Sequence, residues 1–124
     1  MKKVAVISLL FICGALNLSA TKAGRLKGKW RAYKMTHNGE TRDMSEEKKV
    51  PWIEFADDNL LWVGEGKKDK KRGEWWLDDD NKTIHLIIKN RDRKMIIERL
   101  SKKKLVTRFK DGRSSNKAFW KKAS

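Results

Sequence analysis

The chain has one cysteine and two histidines, and each scarcity removes a class of chemistry. Cys13 lies inside an apolar run at the N-terminus. If that run is cut away, the mature chain has no thiol, so no disulfide and no cysteine metal site can form. His37 and His85 stand far apart in sequence, with no third histidine or cysteine to complete a zinc site. A Gly-x-Ser-x-Gly elbow and a phosphate loop are also missing. Glu54 and Glu98 leave open whether two carboxylates face inward, and sequence alone does not pair them. No catalytic residue, metal or cofactor is therefore assigned, and a non-enzymatic role is expected.

The N-terminus reads Met1, Lys2, Lys3, followed by 15 residues from Val4 to Leu18 interrupted only by Ser8, Gly14 and Asn17. A positive start, a short apolar core and small residues after it form a secretory leader. The run is shorter than the ~20 apolar residues that span a bilayer, and no second run follows, so no transmembrane anchor is expected. The leader spans residues 1–23, with cleavage after Ala20 or Ala23, and the domain occupies residues 24–124. The destination is the periplasm or the medium. Lipid attachment at Cys13 is the alternative, set against Ile12 standing where a small residue is needed.

Positive charge is abundant: +15 in all, and +12 once Lys2, Lys3 and Lys22 go with a leader ending at Ala23. Such an excess on a domain of about 100 residues favours anionic surfaces and polymers. Six tryptophans dominate the aromatic content, and in a domain this small large side chains must supply much of the packing.

Along the mature part, apolar residues recur with a period of two, whereas a helical period is not found. Strands are expected over 28–35, 52–55, 60–65, 73–77, 83–88, 95–100, 105–109 and 117–121. A turn at Asn38-Gly39, a short helical turn over Ser45–Lys48, a charged loop from Gly66 to Arg72 and a turn at Asn90–Asp92 are expected between them. Asp78-Asp-Asp-Asn81 reads as a hairpin turn rather than a calcium loop, because spaced oxygen ligands and a terminal glutamate are lacking. Eight short strands joined by hairpin-length turns imply an all-β fold, an up-and-down barrel or a sandwich, and of the two a short up-and-down antiparallel barrel is expected. Closure removes exposed edges.

Several of these pieces, in their order, resemble the lipocalin-like domain of small secreted bacterial proteins. Leu26-Lys-Gly-Lys-Trp30 is similar to the Gly-x-Trp opening of the first barrel strand, and Gly73-Glu-Trp75 to a second Gly-x-Trp in mid-chain. Trp52-Ile-Glu-Phe55 with Asp57-Asp58, Leu77 to Ile84, and Ile97-Glu-Arg-Leu100 with Lys104-Leu-Val106 resemble the intervening and late hairpins. The likeness covers residues 25–122. It departs in one respect: the arginine that caps the barrel in larger lipocalins has no counterpart unless Arg108 serves. The resemblance implies a binding module for a small apolar or amphipathic ligand.

On this reading, Trp30, Phe55, Trp75, Leu77, Ile84, Leu86, Ile97, Leu105 and Phe119 line the barrel interior. They form either a ligand pocket or a filled core. Trp75 and Trp76 must point to opposite faces of their strand. Outside, Lys67, Lys68, Lys70, Lys71, Arg72, Lys102, Lys103 and Lys104 are expected in loops that gather at barrel ends as a polyanion-seeking patch. Envelope components such as lipopolysaccharide, anionic lipid or acidic glycan are the matching partners. Export argues against nucleic acid, and a monomer is expected.

Overall fold

In the computed structural model the described residues are 21–44, 49–67, 69–111 and 114–123. The expected leader up to Ala20, the helical turn expected over Ser45–Lys48, and Lys68 lie outside them. A short helix, α1 (Lys22–Leu26), precedes nine strands. These are β1 (Gly28–His37), β2 (Glu40–Asp43), β3 (Pro51–Phe55), β4 (Leu60–Glu65) and β5 (Asp69–Leu77). β6 (Thr83–Ile88), β7 (Arg91–Leu100), β8 (Lys104–Asp111) and β9 (Ser114–Lys122) complete the chain.

Eight of the strands form a closed antiparallel barrel, because β1 bonds to β3 on one side and to β9 on the other. Every other barrel contact joins consecutive strands through a hairpin. Asparagine dominates the tight turns: Asn38, Asn59, Asn81 and Asn90 all take positive φ, a conformation its short polar side chain tolerates. β1 has two roles. Its first residues, Gly28 to Arg31, pair with β3. After a bulge between Ala32 and Lys34, it pairs from Lys34 to His37 with β2. β2 was not expected from sequence, since Glu-Thr-Arg-Asp is exposed throughout and carries no alternation to read.

Several strands run longer than expected, by a residue or two at an end in β1, β3 and β8 and further in three others. β5 starts at Asp69, not Gly73, β7 starts at Arg91, not Met95, and β9 extends from Ser114 to Lys122. Charged residues fill the first two extensions and Ser-Ser-Asn most of the third, and such polar stretches read as loop when propensity alone is consulted. The two-residue turn before β7 is Lys89-Asn90, both at positive φ.

Side-chain alternation places one face of every barrel strand inward. The inward set includes Trp30 and Ala32, Ile53 and Phe55, Leu61, Trp75, Ile84 and Leu86, Met95 and Ile97, Leu105, Ala118 and Trp120, which pack as one cluster. α1 lies across one end. Thr21 caps it by accepting from the Gly24 amide at 3.0 Å, Lys22 Nζ donates to the Asn81 carbonyl in the β5–β6 turn, and Leu26 is fully buried. Lys122 Nζ donates to the carbonyls of Arg25 and Lys27 and sits over the Trp30 ring.

Each buried indole has a hydrogen-bond acceptor, which avoids the cost of an unpaired donor inside. Trp30 Nε1 donates to the Leu26 carbonyl at 2.8 Å, and Trp75 Nε1 to the Ala56 carbonyl at 3.0 Å. Trp52 Nε1 donates to the Gly66 carbonyl. Trp120 Nε1 donates to Thr107 Oγ1, which explains how that hydroxyl is fully buried. Phe55 meets Trp75 edge-on at 5.0 Å. Both Gly-x-Trp segments therefore supply core tryptophans.

Candidate functional site

The two ends of the barrel are different. α1, the β3–β4 turn, the β5–β6 turn and the β7–β8 turn lie at the helix end, whereas the hairpins leading out of β1, β4, β6 and β8 lie at the other. At this open end the interior holds an apolar cavity of about 480 Å³. Ile53, Val63, Leu86, Ile88, Met95, Phe109 and Trp120 line it, and Glu65, Lys71 and Arg93 stand among them as its charged groups. Its size falls within the ~300–1,000 Å³ of small-molecule sites, and so does its mix of apolar wall with few polar groups.

The register explains how cations reach this cavity. Val63 lies opposite Lys71 in the β4–β5 ladder, two residues from the Leu61–Gly73 pair. Leu86 lies opposite Arg93, and Ile88 opposite Arg91, in the β6–β7 ladder. Since side chains alternate, the inward phase that passes through Trp75 and Gly73 continues to Lys71, and the one through Met95 continues to Arg93 and Arg91. A cleft of about 470 Å³ beside the cavity is lined by Lys71, Ile88, Lys89, Arg91 and Arg93. Four cations thus converge on one rim.

A third hollow, of about 650 Å³, lies between the β1–β2 hairpin and the outer parts of β8 and β9. His37, Arg42, Met44, Phe109 and Asn116 are among its lining residues, so Phe109 belongs to both chambers. Asn116 Oδ1 is buried there without a hydrogen-bond partner among the described residues. A buried acceptor left unpaired is costly.

Of the nine residues read as interior, Trp30, Phe55, Trp75, Ile84, Leu86, Ile97 and Leu105 belong to the buried cluster, and Leu77 packs against it. Only Leu86 among them lines the apolar cavity. The others fill the helix end and the waist. Phe119 requires a correction: it lies on the outer wall, edge-on to Tyr33 at 6.2 Å and under the Lys34 ammonium at 4.4 Å. Its same-face neighbours on β9 are Lys117 and Lys121, while Ala118 and Trp120 take the buried positions.

The basic residues also divide. Lys67 is exposed at the β4–β5 turn, and Lys70 lies over the outward Trp62 ring at 4.2 Å. Arg72 is opposite Trp62 and so faces out, while Lys71 faces the cavity. Lys102 and Lys103 sit in the turn at the helix end, and Lys104 opens β8 near the Tyr33 ring. These residues therefore lie at both ends, with Lys70, Lys71, Arg72 and Lys104 in strands rather than in loops as expected.

The remaining candidates occupy the outer wall. Glu54 is opposite Lys29 and Trp62. Glu98 Oε1 and Oε2 meet Lys117 at 2.9 Å and Arg108 at 3.1 Å, so Arg108 holds a wall carboxylate rather than capping an end. The Lys117 ammonium, followed by the Arg108 guanidinium, holds the Glu98 carboxyl below its ordinary value. His85 stacks flat on Trp76, which is 38% exposed, with ring centroids 4.8 Å apart. In the β5–β6 turn, Asp80 accepts from the amides of Lys82 and Thr83 and from the Thr83 hydroxyl. Those bonds lower its pKa and commit both its oxygens to closing the hairpin. Among the described residues no group of three or more His, Cys, Asp or Glu side chains is placed to hold a metal.

No family model matches the chain, and no curated protein matches it in sequence. A solved structure does: the crystal structure of a lipocalin-like protein from Bacteroides uniformis, with a TM-score of 0.51 and 16% identity. The match covers 80% of this chain and 99% of that one. At that identity the likeness concerns the fold, a lipocalin-like barrel.

Proposed function

We propose that this protein is an exported binding module that takes a small amphipathic ligand into the open end of its barrel. One observation carries the reading: the interior is filled at the helix end and hollow at the other, where an apolar wall meets converging cations. An apolar body gains by leaving water for such a wall, at roughly 25 cal/mol per Å² buried. The unpaired acceptor of Asn116 offers a place for a donor group in the neighbouring chamber.

Native mass spectrometry before and after organic extraction tests this. A co-purifying small molecule that extraction removes is the expected result. An extracted protein that rebinds no amphiphile would overturn it. A second reading, in which the cationic rim holds an envelope polyanion, is favoured by the gathering of Lys71, Lys89, Arg91 and Arg93 at one end. Salt-sensitive retention on heparin with no uptake of a small ligand would decide for it.

Export belongs to the same proposal, and the structure of α1 bears on the cleavage site. A cut after Ala20 leaves the Thr21 cap and the Lys22 tie to Asn81, while a cut after Ala23 removes both. N-terminal sequencing of the exported protein should begin at Thr21. A start at Gly24 or at Met1 would refute this.

A further inference from the structure

We infer that Lys71, Arg91 and Arg93 form a head-group clamp, so that the ligand is an amphiphile with an anionic head, a carboxylate, sulfate or phosphate, on an apolar body. The inference rests on the cavity reading above and specifies what the cavity selects.

Three features of the rim argue for it. First, the cations sit on the wrong face. The interior of a small barrel is apolar, yet at the open end of β5 and β7 the inward positions carry a lysine and two arginines. Their cross-strand partners are Val63, Ile88 and Leu86, which offer no charge in return. Second, none of the three makes an ion pair or side-chain hydrogen bond among the described residues, although Lys27, Arg108 and Lys117 on the outer surface all do. These cations are solvent-exposed, yet like charges gathered on one rim repel, and an anion placed between them removes that cost. Arginine's planar fork suits carboxylate and phosphate oxygens in particular. Third, the cations are continuous with the apolar wall. Lys71 and Arg93 line both the cavity and the cleft, as does Ile88. A head held there points its attached chain at Leu86, Met95 and Phe109 rather than into solvent. Glu65 is the opposing carboxylate in the lining. It leaves the cations in excess and gives the clamp a negative side that a cationic head would need alone.

Isothermal titration of the extracted protein with dodecanoate, dodecanol and dodecyltrimethylammonium, each below its micelle concentration, tests this. The three share one chain and differ only in the head. Dodecanoate should bind about ten- to a hundredfold tighter than dodecanol, the range for charge-assisted hydrogen bonds. Dodecyltrimethylammonium should bind more weakly than the alcohol. Dodecyl sulfate and dodecyl phosphate, added as further arms, separate a carboxylate preference from a general anion preference. The double variant Lys71→Gln, Arg93→Gln should bring dodecanoate down to the alcohol's affinity and leave dodecanol unchanged, which also shows that the variant is folded. Glu65→Gln should tighten dodecanoate a fewfold. Equal binding of the three ligands would overturn the clamp while leaving the cavity reading intact. Failure of all three to bind would overturn the cavity reading, and the clamp with it.

Discussion

The helix end and the open end of this barrel are built from the same strands, yet they solve opposite problems. At the helix end, Leu26, Trp30, Phe55, Ile84 and Leu105 have no exposed surface, the indole of Trp30 is satisfied, and α1 covers what the strands leave open. At the open end, Met35, Val63, Ile88 and Phe109 are only partly buried, and charged side chains share their face of the sheet. Packing density gives the first end its stability. The second gives up that contribution and keeps a hollow bordered by cations. The contrast teaches that the packed core and the hollow are separated along the barrel axis.

Substitutions at the two ends should therefore behave differently, and the largest effect is expected where packing is complete. Trp30→Ala should cost about 3–5 kcal/mol in denaturant unfolding and, where the variant still folds, leave ligand preference intact. Phe109→Ala should cost much less, roughly 1 kcal/mol, while weakening uptake of an amphiphile. Equal stability losses would erase the distinction.

At the waist, Gly73 has no room for a side chain: a Cβ there would lie 2.4 Å from the Ile87 carbonyl oxygen and 3.3 Å from Leu61 and Ile88. Gly73→Ala should cost about 1–3 kcal/mol, as overpacking does, and distort the strand that carries Lys71 inward. Chemical denaturation and dodecanoate titration together check it, and both should suffer.

The outer wall provides a pH-dependent comparison with the uncompensated rim. Glu98 is held below its ordinary pKa by Lys117 and Arg108, so its stabilisation is present at neutral pH. That contribution declines as pH falls below the ordinary glutamate value and is gone once pH passes the lowered native value. For a partly exposed wall pair it amounts to about 0–1 kcal/mol. Glu98→Gln should flatten that part of the acid limb in a series of unfolding curves. An unchanged acid limb would deny the pairing any weight.

The smallest effect concerns Lys89, a long side chain at φ 51° in the β6–β7 turn. Lys89→Asn, better suited to left-handed geometry, should raise stability by less than about 1 kcal/mol while loosening dodecanoate slightly. A rise in both stability and affinity would remove Lys89 from the rim's function.

Much of the helix end was legible in the sequence. Trp30, Phe55, Trp75, Ile84 and Leu105 are apolar residues in clear alternation, and that alternation placed them in the core. The open end was not legible by the same means, because its inward residues include Lys71, Arg91 and Arg93, which break the apolar rule and make their strand segments look like loops. The signal was nevertheless available. Counting back by twos from Trp75 reaches Lys71, and from Met95 it reaches Arg93 and Arg91. Phe119 failed in the opposite direction: an aromatic residue was taken as interior although Lys117 and Lys121 share its phase. Ala118, small and easily overlooked, marks the buried face instead. The hollow itself has no signature in one dimension, since Ile53, Val63 and Met95 read like any core residues.

Methyl NMR during titration with dodecanoate tests the separation of the two ends most directly. Resonances of Ile53, Ile88 and Met95 should shift with saturation, and those of Leu26, Ile84 and Leu105 should stay where they are. Shifts centred on the helix end, or confined to outward-facing methyls such as those of Val106 and Ile96, would contradict a ligand chamber at the open end.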